Sequence, residues 1–207
     1  MIQKCSQPYT STKYNEHHSM FPFPLSDFQK YSIEGIVEGN NVLVTAHTGS
    51  GKTLPIEFAI RYITGKGKKV IYTSPIKALS NQKYKDFSLK FPDITFGILT
   101  GDRKVNPDAQ VLIMTTEVLM NALENMKMGT TSTNYLSFDI DIETELGLVA
   151  YDEVHYITDK ERGHVWEKTL MWLPSHIQLL LLSASIDNPI LFATWLSNKT
   201  PDKSFYL

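Results

Sequence analysis

Eight residues, Ala46-His47-Thr48-Gly49-Ser50-Gly51-Lys52-Thr53, have the composition and spacing of a loop that binds phosphate. The glycines let successive backbone N–H groups converge on one anion, and the helix behind them would add the positive end of its dipole. Lys52 would reach the β- and γ-phosphates of a nucleotide, and the Thr53 hydroxyl would ligate Mg²⁺. Ala46 stands where the usual pattern begins with Gly, and a small residue there keeps the turn open. About a hundred residues on, an apolar run ends in Tyr151-Asp152-Glu153-Val154-His155. A carboxylate pair at a strand end beside a phosphate loop is what a nucleotide-bound Mg²⁺ and an attacking water require. Asp152 is the metal candidate, usually through water, and Glu153 the group that orients and deprotonates the water. His155 is either a hydrogen-bonded structural residue or a relay from the nucleotide to a neighbouring loop. A later apolar run ends in Ser183-Ala184-Ser185, small hydroxyl residues expected near those carboxylates.

Elements must hold these residues. The apolar run Asn41–Thr45 reads as the strand before the loop and Leu54–Tyr62 as the helix after it. Further strands are expected at Lys68–Ser74, Thr95–Thr100, Val111–Thr115, Leu146–Tyr151 and Ile177–Ser183, with a last one at Lys203–Leu207. Between them lie helical stretches, among them Lys77–Lys90; ahead of the loop, Asp27–Val37 follows a capping Ser26 and stops at Gly39. Near-continuous apolar strands alternating with helices specify an α/β fold, a parallel sheet covered on both faces with ligands at the carboxyl ends of its strands. Residues 1–20 are polar and read as a flexible arm, and the adjacent His17 and His18 diverge too much to share a metal. Met126–Glu145 reads as a solvated loop or exposed hairpin, because Phe138, Ile140 and Ile142 alternate with Asp139, Asp141 and Glu143.

Composition narrows the function. The chain has 207 residues, 42% of them hydrophobic, enough for one substantial core. A net charge of −2 excludes a globally basic nucleic-acid binder while permitting a local groove. The single Cys5 cannot form an internal disulfide. With no signal-like segment and no apolar run long enough for a bilayer, an intracellular protein without membrane contact is expected, cytoplasmic or nuclear.

Seven blocks occur in one order: Phe21–Gln29, Ala46–Thr53, Tyr72–Gln82, Thr100–Asp102, Met114–Glu117, Asp152–His155 and Ser183–Ser185. They resemble the first RecA-like domain of superfamily 2 helicases, in wording most similar to the superkiller and exosome-associated branch of DExH RNA helicases, over residues 21–207. The resemblance implies a RecA-like ATP-binding domain in which Gln29 reads the adenine edge and Phe23 stacks on the base, with Thr48, Gly49, Ser50, Gly51, Lys52 and Thr53 on the phosphates. It implies that Pro75, Lys77, Gln82, Gly101, Asp102, Thr115, Thr116 and Glu117 hold the backbone of single-stranded RNA, and that Ser183 and Ser185 couple the two ligands. Ser185 replaces the family's usual Thr, and Met126–Glu145 is about a dozen residues longer than the family's usual connection. Nothing after Ser185 resembles the second RecA-like domain, so a partner half in the same or another chain is expected, with an RNA-decay complex as its setting. Arg61, Arg103 and Arg162 lie badly for completing the ATP site, so hydrolysis by this chain alone should be slow. A binding module without hydrolysis, a DNA translocase and a small-molecule kinase remain alternatives.

Overall fold

A computed structural model describes residues 1–128 and 140–207. Among the described residues nine strands form one sheet: β1 (Ile2–Gln3), β2 (Asn41–Thr45), β3 (Lys69–Ser74), β4 (Phe96–Thr100), β5 (Arg103–Val105), β6 (Val111–Thr115), β7 (Leu146–Tyr151), β8 (Gln178–Ser183) and β9 (Phe205–Tyr206). Their order is β1-β9-β2-β8-β7-β3-β6-β4-β5, and every pairing is parallel except β4 with β5. The β4–β5 hairpin turns at Gly101-Asp102; a three-residue exposed edge strand carries no apolar periodicity, and the sequence reading lacks it.

Side chains alternate across each strand, so the sheet separates two cores. On one face Val42, Val44, Val70, Tyr72 and Leu180 pack under the helices α2 (Asp27–Val37), α3 (Thr53–Gly65) and α4 (Lys77–Lys90) through Ile33, Phe58, Ile60 and Phe87. On the other, Leu43, Ile71, Leu112, Val149 and Leu181 meet α5 (Thr116–Lys127), α6 (Gly163–Trp172) and α7 (Pro189–Ser197) through Leu119, Trp166, Leu170 and Leu196. Burial on both faces is the reason the central strands are apolar without interruption.

Residues 1–20, expected as a flexible arm, lie against the domain. β1 adds to β9, the short helix α1 (Asn15–His18) sits near α2, and Tyr14 is buried. Tyr9 donates to Glu34 at 2.8 Å, and Lys13 pairs with Glu38 at 3.1 Å. The expected hairpin within Met126–Glu145 is also revised where it can be followed. Met126 and Lys127 end α5, and Ile140 and Ile142 are buried in the core rather than exposed. Asp141 accepts from the backbone N–H groups of Glu143 and Thr144, which makes 141–144 a turn and not a strand. Phe138 and Asp139 lie outside the described residues.

Candidate functional site

Strand order decides what meets at the carboxyl edge of the sheet. β2, β8 and β7 are successive neighbours, which brings together the loop after Thr45, the Ser183–Ser185 segment and Asp152. β3, β6 and β4 follow, and they bring together Pro75, Thr115 and Gly101. The edge thus has one end where a nucleotide is expected and a second end, and the two meet at the β7–β3 seam.

At the first end, Gly49 and Gly51 take positive φ of 85° and 87°, a region open to glycine and strained for other residues. Ser50 folds its hydroxyl onto the His47 carbonyl at 2.7 Å, and Thr53 begins α3. Lys52 Nζ is buried with no hydrogen-bond partner. An ammonium in that condition at a helix N-terminus is a group built for an anion, so a bound phosphate fits the loop. Thr53 Oγ1 accepts from Lys83 Nζ at 3.3 Å. Hydroxyl and carboxylate oxygens from Thr53 and Asp152 suit a hard cation such as Mg²⁺.

Asp152 Oδ2 accepts from the Tyr72 phenol at 2.6 Å, and Oδ1 from the Glu153 backbone N–H at 3.0 Å. Burial, then the neighbouring Asp152 charge, pushes the Tyr72 phenol well above its ordinary range, so it remains a donor. Glu153 adopts φ 54° and ψ 46°, the left-handed region that a non-glycine residue enters at a cost of about 1 kcal/mol. This turn starts the 3₁₀ segment Val154–Thr158. Glu153 Oε2 is buried with no aligned donor, although His155 Nδ1 stands 3.2 Å from it. His155 Nδ1 is also 3.5 Å from Ser183 Oγ. Ser183 Oγ donates to the Ser185 carbonyl at 2.9 Å and accepts from the Ser185 N–H at 3.2 Å, so His155 and the Ser183–Ser185 turn form one contact chain.

Gln29, expected at an adenine edge, is buried and already engaged. Its Oε1 accepts from the Ser26 N–H at 2.9 Å, the reaching-back half of a capping box, and its Nε2 donates to the Gly51 carbonyl at 3.2 Å. One acceptor and one donor site remain on the amide. Phe23 is half exposed and lines an apolar hollow of about 340 Å³ with Phe21, Phe58, Arg61 and Phe91; Gln29 and residues 48–53 do not line that hollow. Glu57, one turn beyond Thr53 on α3, also lines it, so it opens off the loop's own helix.

The second end holds a cleft of about 390 Å³ that includes Pro75, Lys77, Gly101, Thr115 and Glu117 from the expected RNA set. Gln82 and Thr116 do not line it. Gln82 is exposed on α4, and the buried Thr116 hydroxyl donates to the Ser74 carbonyl at 3.4 Å, leaving only its backbone N–H at the start of α5 for a ligand. Asp102 is tied to the cleft through Lys77 Nζ at 2.9 Å, and that hydrogen bond, with one from Thr100, holds its carboxyl below the usual range. The cleft also includes Arg162, which the sequence reading weighed only for the ATP site; no local spacing links it to Glu117.

Comparison with known proteins adds the following. The DEAD/DEAH box helicase profile matches residues 26–191. Antiviral helicase SKI2 of Saccharomyces cerevisiae is 43% identical over 90% of this chain and 13% of its own length. ATP-dependent RNA helicase mtr4 of Schizosaccharomyces pombe is 43% identical over 86% of the chain and 14% of its length, and Superkiller complex protein 2 of Mus musculus is 44% identical over 82% and 12%. Among solved structures, Mycobacterium smegmatis helicase Lhr bound to ssDNA and AMP-PNP superposes with a TM-score of 0.69 at 28% identity, over 95% of this chain and 27% of that one. The chain therefore spans between about an eighth and a quarter of the length of these proteins.

Proposed function

The chain belongs to the DEAD/DEAH box helicase family, and from that premise we propose that residues 21–207 are the ATP-binding and single-stranded-RNA-binding motor domain of a DExH-box RNA helicase. The observation that carries this reading is the unpartnered ammonium of Lys52 at the start of α3, in a loop two strands away from the Asp152–Glu153 strand end. Lys52 and the backbone N–H groups of Thr48 to Thr53 bind the triphosphate. The free valences of Gln29 read the adenine edge, and Phe23 covers its face. Glu153 orients the attacking water and takes its proton on the carboxylate. Thr53 and, through water, Asp152 would hold Mg²⁺, which would supply charge neutralisation to the bound triphosphate. His155 and the Ser183–Ser185 turn carry the state of the nucleotide end toward the rest of the edge.

RNA occupies the cleft at the ends of β3, β6 and β4, held through its backbone by Pro75, Lys77, Gly101, Asp102, Thr115 and the backbone N–H groups of Thr116 and Glu117, with Gln82, exposed on α4 outside the cleft, meeting the strand beyond it, and with no base reading. RNA is favoured over DNA by the curated relatives named as RNA helicases at 41–44% identity; the 28% identical neighbour holding ssDNA makes DNA the comparator in the test. The chain works inside the cell, in cytoplasm or nucleus, in an assembly for RNA decay.

ATP hydrolysis requires a second RecA-like domain. The sequence contains three arginines, and all have partners: Arg61 with Asp93 at 3.0 Å, Arg103 with Asn81 at 2.8 Å and Arg162 with Glu117. None is free to meet the charge that develops on the γ-phosphoryl group, a contribution worth on the order of 10³ to 10⁵ in rate. The test is ATP turnover by this chain with and without single-stranded RNA, with DNA of equal length as comparator, repeated on longer versions of the protein. Turnover alone should fall far below the roughly 1 s⁻¹ of a complete enzyme and rise by orders of magnitude, RNA-dependently, in longer forms. Turnover near 1 s⁻¹ by the isolated chain would show that an arginine within it completes the site.

A further inference from the structure

Two carboxylates, Asp102 and Glu117, stand at a cleft assigned to a polyanion, and each is matched by one cation. Lys77 pairs with Asp102 at 2.9 Å, and Arg162 pairs with Glu117, its Nε donating to Oε1 at 3.1 Å. Arg162 Nη2 reaches the same Glu117 oxygen and the Pro75 carbonyl. One guanidinium therefore ties the N-terminal turn of α5, where Glu117 lies, to the loop after β3, where Pro75 lies, and these are two walls of the cleft. A lysine could neutralise Glu117 but could not present this fork to a carboxylate and a carbonyl together.

Arg162 is itself held from behind. Its guanidinium lies 5.5 Å from the Trp166 ring and 5.8 Å from the Tyr156 ring. Asp159 Oδ1 accepts from the backbone N–H groups of Glu161 and Arg162 at 2.9 and 2.8 Å. The next residue must be glycine, since a Cβ on Gly163 would lie 2.3 Å from the Ile157 carbonyl oxygen. The segment that delivers Arg162 runs from Glu153 through the 3₁₀ turn, so the carboxylate loop of the nucleotide end supplies the cation of the other end.

We propose that Arg162 is the positioning residue that masks the Glu117 carboxylate and fixes the Pro75–Glu117 wall spacing, and so makes the cleft acceptable to a nucleic-acid backbone. This rests on the reading of the cleft as the RNA site. Its consequence is electrostatic: without Arg162, Glu117 faces phosphate as a bare anion. With the side chains of Glu117 and Arg162 only 35% and 37% exposed, solvent screens that charge incompletely.

The experiment measures binding of a fluorescent single-stranded oligoribonucleotide to the whole chain, by anisotropy across a salt series, for wild type, Arg162→Gln, Arg162→Lys, Glu117→Gln and the double variant. Arg162→Gln should weaken binding about tenfold or more at low salt, with the gap narrowing as salt screens the exposed carboxylate. The double variant should recover to within about threefold of wild type, because removing the carboxylate removes the need for its mask. Arg162→Lys should fall between them. Recovery in the double variant separates lost charge masking from lost folding, and ATP affinity measured by calorimetry on the same samples reports an intact domain. If Arg162→Gln binds as wild type, or if the double variant stays as weak as Arg162→Gln, the proposal is overturned, the latter meaning that Arg162 touches phosphate itself. Failure of the wild type to bind RNA at all would instead overturn the assignment of the cleft.

Discussion

The Tyr72 phenol, on β3, donates to Asp152 Oδ2 at 2.6 Å across the seam where the two ends of the site meet. The pairing is reinforced by the backbone, where the Asp152 N–H donates to the Thr73 carbonyl at 2.9 Å. The candidate metal carboxylate is thus oriented by the strand whose own end opens the cleft proposed for RNA.

Tyr72→Phe keeps the buried ring and deletes only this charge-assisted bond. A loss of about 1–2 kcal/mol is expected, seen as a fall in melting temperature of roughly 3–6 °C. Asp152 would retain only the Glu153 N–H, so Mg²⁺-dependent nucleotide affinity should drop several-fold as well. A melt and a Mg²⁺ titration both matching wild type would mean that other contacts orient the carboxylate.

Lys52→Ala should separate stability from binding. The ammonium is buried without a partner, a condition that costs free energy in the unliganded fold, so the variant should melt at or above the wild-type temperature. Triphosphate affinity by calorimetry should fall by at least about tenfold, because a charge-assisted contact to phosphate is lost. Intact ATP affinity in this variant is the outcome that removes the nucleotide assignment.

Gln29 joins the cap of α2 to the phosphate loop, and two variants divide its roles. Gln29→Ala should cost about 1–2 kcal/mol from the lost bonds to Ser26 and Gly51, and should also blunt the preference for ATP over GTP. Gln29→Glu keeps the acceptor for the Ser26 N–H but has no donor for the Gly51 carbonyl or for a base. It should melt below wild type, because a buried carboxylate then faces the Gly51 carbonyl, and should lose base preference as well. Unaltered discrimination in both variants would assign adenine recognition elsewhere.

Stability should rise from pH 7 toward pH 9. Burial, with Lys127 adding repulsion at Lys199, pulls the Lys199 and Lys203 ammonium groups from 10.5 down to about 8. Between about 8 and 10.5 the unfolded chain then binds more protons than the folded one, so the contribution grows as pH climbs through that window. Tyr9, Tyr151 and Tyr206 act oppositely: burial raises their phenols above the ordinary 10, so stability falls once the unfolded chain begins to lose those protons. Melting temperatures at pH 7, 8, 9 and 10 should therefore pass through a maximum between 8 and 10, and Lys199→Met with Lys203→Met should flatten the rising limb. A monotonic fall from pH 7 would contradict this assignment.

The sequence by itself determined the α/β class, the strands β2, β3, β4, β6, β7 and β8 to within a residue, and the loop from Ala46 to Thr53. Those features are local: apolar runs report burial on both faces, and a glycine at positive φ followed by a helix start needs only neighbours in the chain. The acidic pair was legible for the same reason, since it ends an apolar strand. What the tertiary structure decided is the company these residues keep. Strand order puts Tyr72 under Asp152, eighty positions apart, and Arg162 against Glu117, forty-five apart, and no spacing rule spans such distances. Burial of Ile140 and Ile142 and the docking of the first twenty residues through Tyr9 and Tyr14 likewise depend on surfaces built by remote segments. Gln29 shows the boundary most clearly. Its cap on Ser26 could be read from a spacing of three, but its bond to the Gly51 carbonyl exists only because α2 packs beside α3 in the folded sheet.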